Sequence, residues 1–86
     1  MNQEQPTLYD EVIEAVFEQV RSRTPMTIVE AITIQIITAK EARTRIEEEG
    51  SVVRDTKGSV IPHPALKIEA DAVKLYTSLI GKYEKK

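Results

Sequence analysis

The sequence predicts a mainly α-helical protein of one domain spanning 1–86. Three helices, over about 7–22, 26–49 and 64–83, are expected in an elongated helical hairpin arrangement, with a short extended or β-hairpin flap at 51–62. Three observations lead there. Apolar residues recur at three- and four-residue steps through each of the three segments. Helix-start signals stand at Thr7, at Thr27 and at His63-Pro64. Between the second and third segments the period is lost, and two β-branched pairs flank a polar, glycine-containing turn.

Residues 1–6, ending at Pro6, read as a flexible leader. Thr7 followed by Asp10 forms a capping box with Asp in place of the usual Glu. Tyr9, Val12, Ile13, Val16 and Val20 then share one face of a helix, Phe17 widens that face, and Glu11, Glu14 and Glu18 lie opposite. Ser22-Arg23-Thr24-Pro25 breaks the pattern. Thr27 and Glu30 supply a second expected capping box, with Met26 placed to pack on the first turn. The residues after it are rich in β-branched side chains, and Ile32, Ile34 and Ile36 alternate as a strand would. The cap before them and the helix formers from Ala39 to Glu49 favour helix, with a strand as the alternative.

That second helix is apolar on more than one side. Val29, Ile32, Ile36, Ala39 and Ile46 make one stripe, while Ile34 and Ile37 point roughly the other way. In a small chain a second apolar side predicts self-association. Gly50 is positioned as a left-handed C-terminal cap. Val52-Val53 and Val60-Ile61 bracket Arg54-Asp55-Thr56-Lys57-Gly58-Ser59, the pattern of a tight hairpin. Pro64 then occupies a first helical turn, where its missing N–H costs nothing. Ala65, Ile68, Ala72, Leu75, Leu79 and Tyr83 form the inner stripe of the last helix, widened by Leu66, Val73 and Ile80.

Eighty-six residues suffice for one thin core. There is no cysteine and one histidine, so a disulfide framework and a thiolate metal site are excluded. No apolar run approaches the roughly 18 residues a membrane span needs, and the acidic start does not resemble a signal peptide, so a cytoplasmic protein without a membrane partner is expected. The net charge of −2 is unevenly spread. Residues 1–20 carry five acids and no Lys or Arg, whereas 21–86 carry twelve bases against nine acids. An acidic outer helix on a mildly basic body follows.

Catalysis has little to stand on. His63 lies between two prolines at a helix start and reads as a capping or packing residue. No serine has a base pattern beside it and no glycine-rich phosphate loop is present, so neither catalytic residues nor a cofactor nor a metal is expected. Glu47-Glu48-Glu49 reads as a solvated or inter-subunit face. Arg43 shares the face of the apolar stripe and is expected to pack its stem and pair its head with an acid. Arg21 and Arg23 on the first turn, and Arg54 and Lys57 on the flap, project freely and are the candidate contacts to double-stranded DNA. Ile34, Ile37, Leu66, Val73 and Ile80 are the candidate oligomer contacts.

The order Gly50…Gly58…His63-Pro64-Ala65, followed by Ile68-Glu69-Ala70-Asp71-Ala72, resembles the phage terminase small subunit family. Ala39-Lys40-Glu41-Ala42-Arg43-Thr44-Arg45-Ile46 and the Thr27-x-x-Glu30 opening are similar too, so the likeness spans roughly 7–83. The resemblance implies a non-enzymatic DNA-packaging component of tailed phages, working in the cytoplasm of a bacterial host cell. It also implies a cyclic homo-oligomer that associates with viral DNA and regulates the large terminase subunit, which holds the ATPase and nuclease. A small helical dimeric interaction or regulatory protein, an antitoxin-like module, is the competing expectation.

Overall fold

A computed structural model of the chain describes residues 7–85; the expected leader at 1–6 lies outside them. The elements are α1 (Leu8–Gln19), α2 (Met26–Glu49), β1 (Val52–Arg54), β2 (Val60–Pro62) and α3 (Pro64–Tyr83). The architecture is mainly α, with a two-stranded antiparallel flap between the two long helices.

α1 starts on the predicted capping box. The Asp10 N–H donates to Thr7 Oγ1 at 3.1 Å, and the Thr7 N–H donates to Asp10 Oδ2 at 3.2 Å. Its end is earlier than the expected residue 22. Val20 turns extended and forms an isolated antiparallel bridge with Glu84. The Arg21 N–H donates to Tyr83 O at 2.9 Å and the Lys85 N–H to Gln19 O at 3.0 Å. Backbone groups that a longer α1 would use internally are thus committed to the end of α3.

α2 is one uninterrupted helix, about 36 Å long from its 24 residues, and no strand forms within it. Its start differs from expectation. The cap residue is Pro25, which makes no side-chain cap bond, and the Ile28 and Val29 N–H groups donate to Pro25 O at 3.0 and 3.1 Å. Thr27 is therefore already inside the helix, and the Thr27–Glu30 box is not formed. Burial overrides the poor helix propensity of the β-branched run. Val29, Ile32 and Thr33 are fully enclosed, and the Thr33 hydroxyl donates to Val29 O one turn back at 2.8 Å.

Gly50 ends α2 at φ 91° and ψ 161°, its N–H donating to Ile46 O at 2.7 Å. The positive φ is as expected, but the extended ψ corrects the left-handed cap: the chain runs straight into β1. The flap pairs Val52 with Pro62, Val53 with Ile61 and Arg54 with Val60. Asp55 organises its turn, Oδ1 accepting the N–H groups of Lys57 and Ser59 at 2.9 Å each.

α2 and α3 run antiparallel. At the flap end Ala42, Ile46 and Ala65 form one buried cluster, with Leu66 against it. Toward the other end Val12, Val16 and Val20 of the α1 segment meet Val29 and Ile32, with Tyr76, Leu79, Ile80 and Tyr83 packed around them. The molecule is only 17 Å thick along its short axis. With helices packing 8–10 Å apart this leaves no more than two layers, so each helix keeps a face in solvent. The inner stripe of α3 is accordingly narrower than predicted. Ala65 and Ala72 are buried, whereas Ile68 and Leu75 remain 43% and 51% exposed on its flank.

Candidate interaction surfaces

His63 stands where α2, the flap and α3 meet. Its backbone N–H donates to Ser51 O at 2.9 Å, and its ring is almost fully buried. Nδ1 accepts the Ala65 N–H at 2.9 Å, which makes His63 the N-cap of α3. Because Nδ1 accepts, the ring proton sits on Nε2, which donates to Glu49 Oε1 at 2.6 Å. That bond, assisted by Arg45, holds the Glu49 carboxyl below its ordinary value of 4.5 against a smaller opposing effect of desolvation. Both ring nitrogens are thus bonded within the chain itself. Glu49, read from the sequence as part of a solvated run, belongs to this joint; its partner lies 14 residues away across the flap, a spacing that no helical pattern marks.

The four basic candidates fall into two pairs at opposite ends of α2. Arg21 and Arg23 flank the turn before it, and Arg54 and Lys57 lie on the flap after it. One member of each pair is engaged. Arg21 Nε donates to Glu84 O at 3.2 Å, and an Arg54 terminal nitrogen donates to Gly58 O at 2.8 Å, tying strand to turn. The side chains of Arg23 and Lys57 make no hydrogen bond or ion pair among the described residues. Arg21, Arg23, Thr24 and Tyr83 line a small cavity of about 120 Å³, and the Thr24 hydroxyl oxygen is enclosed without a partner among the described residues.

The five candidate assembly residues also divide. Ile34 is half exposed and Val73 lies on the surface, free to meet another surface. Ile37 and Ile80 are partly buried against the chain's own larger cluster, and Leu66 against the smaller one. Part of each of these three side chains is thus already used inside the chain. Val73 and Ile80, with Leu8, Ile36 and Tyr76, line an open groove of about 710 Å³. At its edge Arg43 pairs with Glu69 through two bonds, at 2.9 and 2.6 Å, which raises the guanidinium pKa. The paired head expected for Arg43 is present; its partner on α3 could not be named from spacing, since 26 residues separate them.

Among the described residues no group of three or more His, Asp or Glu converges as a metal site, and no helix is long and apolar enough to cross a membrane. Compared with known proteins, the chain matches no family model, no curated protein and no solved structure.

Proposed function

We propose that the chain is a non-catalytic, self-assembling component of a phage DNA-packaging machine, of the terminase small subunit kind. In this reading copies associate into a cyclic homo-oligomer, bind double-stranded DNA, and regulate a large subunit that carries the ATPase and nuclease.

The observation that carries the self-assembly is unpartnered apolar surface in a slab too thin to cover it. Ile34, Met26, Phe17, Ile68 and Leu75 are each more than two-fifths exposed. With Leu8, Val52 and Val60 there are eight such side chains among the described residues, apolar surface that supports self-association. The packaging role rests on the resemblance, whose residues Gly50, Gly58, His63 and Pro64 stand at the joints of the α2–flap–α3 hairpin. A ring adds weak phosphate contacts from many copies, which suits a chain with few basic side chains at either end of α2.

Native mass measurement at micromolar concentration is the first test, and a closed multiple of the chain mass is the expected result. A strict monomer defeats the proposal. A dimer that neither binds duplex DNA nor alters the ATP turnover of a packaging ATPase favours the small regulatory protein instead.

A further inference from the structure

Two helix faces of opposite charge, each with exposed apolar side chains, lie on α1 and α3. Successive residues advance by about 100° around a helix, so residues seven apart share a side. On α1, Leu8 and Gln19 face the groove between α1 and α3. Phe17, 45% exposed, lies half a turn away from them and shares its side with Asp10 and Glu14. On α3, Val73 and Ile80 face the same groove. Ile68, Leu75 and Lys82 form a seven-residue stripe on the side turned away from it. The Phe17 and Leu75 surfaces therefore both lie outside the groove, on two different helices.

Their charges are complementary. α1 holds Asp10, Glu11, Glu14 and Glu18 and no base. The outer side of α3 presents Lys67, Lys74 and Lys82, and its one acid, Asp71, is already bridged to Lys67 at 3.1 Å. Glu11, Glu14, Glu18, Lys74 and Lys82 have no ion-pair partner among the described residues.

We infer that the α1 edge of one copy docks on the α3 edge of the next, Phe17 seating near Leu75 and Ile68, and Glu14 and Glu18 facing Lys74 and Lys82. Two different surfaces make a heterologous contact, which propagates head to tail and closes into a ring when the rotation between copies allows. The opposite charges fix which edge meets which and repel edge-to-edge pairing of identical faces. This inference rests on the self-assembly proposed above and adds the contact itself.

The chain has no cysteine, so engineered thiols report the contact without background. Phe17→Cys and Leu75→Cys are made singly and together, and oxidised under mild conditions. The double variant should give a ladder of cross-linked multimers, an equimolar mixture of the two singles should give a cross-linked pair, and neither single alone should cross-link. In parallel, Lys74→Glu with Lys82→Glu should raise the concentration needed for assembly by at least about tenfold, because like charges then face each other. Combining these with Glu14→Lys and Glu18→Lys should restore it. Circular dichroism of each variant controls for folding, all six positions being exposed. Wild-type oligomers that survive the lysine reversal, or a 17-to-17 cross-link in the Phe17→Cys variant alone, overturn the α1–α3 contact and leave self-assembly standing. A monomeric wild type overturns both.

Discussion

Replacing His63 with alanine is the most informative single perturbation of the fold. It removes the N-cap acceptor of α3, a loss of about 1 kcal/mol. It also empties roughly 60 Å³ at a fully buried site, which at about 24 cal/mol per Å³ adds about 1.5 kcal/mol. The expected total is about 2.5 kcal/mol, and for a domain of this size that lowers the melting temperature by roughly 10–20 °C. His63→Asn supplies the internal control. Its side-chain oxygen can accept the Ala65 N–H and its bulk leaves a smaller cavity, so the loss should fall to about 1 kcal/mol. Both variants are read by thermal and urea unfolding followed at 222 nm, at one fixed protomer concentration because assembly shifts apparent stability. Two results refute the reasoning: Ala and Asn variants of equal stability, or a His63→Ala protein melting within about 3 °C of wild type.

Four further outcomes follow from other positions in the fold. The Glu49 carboxyl is held below its ordinary 4.5, so its contribution is present above that pH and lost as pH falls through the lower folded value; Glu49→Gln should flatten the fall of the urea midpoint as pH drops below about 4.5. Gly50 sits at φ 91° and ψ 161°, a region nearly closed to other residues, so Gly50→Ala should cost about 1–3 kcal/mol in urea unfolding. Gly81 lies within α3 with open space around its Cα, so Gly81→Ala should instead stabilise by about 0.5–1 kcal/mol. Thr7→Ala removes one half of the α1 capping box, and about 1 kcal/mol of lost protection should appear in amide exchange of the first turn of α1.

Local signals made most of this fold legible. The Thr7–Asp10 box and the His63-Pro64 start work within three residues, and both stand as predicted. The β-branched run of α2 pulls the other way, and only its burial against α1 and α3 decides for helix. The Thr27–Glu30 box is not formed because Pro25 already offers its carbonyl to the first turn, so the same pattern two residues past the cap signals nothing. The inner stripe of α3 is narrower than its apolar spacing implies, because periodicity identifies apolar positions without counting the helices available to cover them; Leu75 is the result. Glu49–His63 and Arg43–Glu69 join residues 14 and 26 apart, contacts that appear once the hairpin has closed.

The closure at the ends of α1 and α3 also bears on which basic residues could meet DNA. Sequence spacing treats Arg21 with Arg23, and Arg54 with Lys57, as equivalent pairs. Folding places them at the two ends of α2, a helix about 36 Å long, and gives them different neighbours. The bond from the Lys85 N–H to Gln19 O brings the lysine end of α3 beside the Arg21–Arg23 turn, so basic residues distant in sequence gather there. The flap has no such reinforcement: Asp55 sits between its two bases, and the acids of Glu47 to Glu49 lie just behind it. If the chain binds duplex DNA as proposed, the Arg21–Arg23 end should carry the larger share. Reversing Arg21 and Arg23 to glutamate should then lower affinity and flatten its dependence on salt more than reversing Arg54 and Lys57. The comparison is made on assemblies of matched mass, since Arg21 also bonds Glu84 O and its loss could loosen that joint. A greater loss from the flap reversal would place the DNA at the other end of the hairpin, where Arg54 and Lys57 would have to act despite the acids around them.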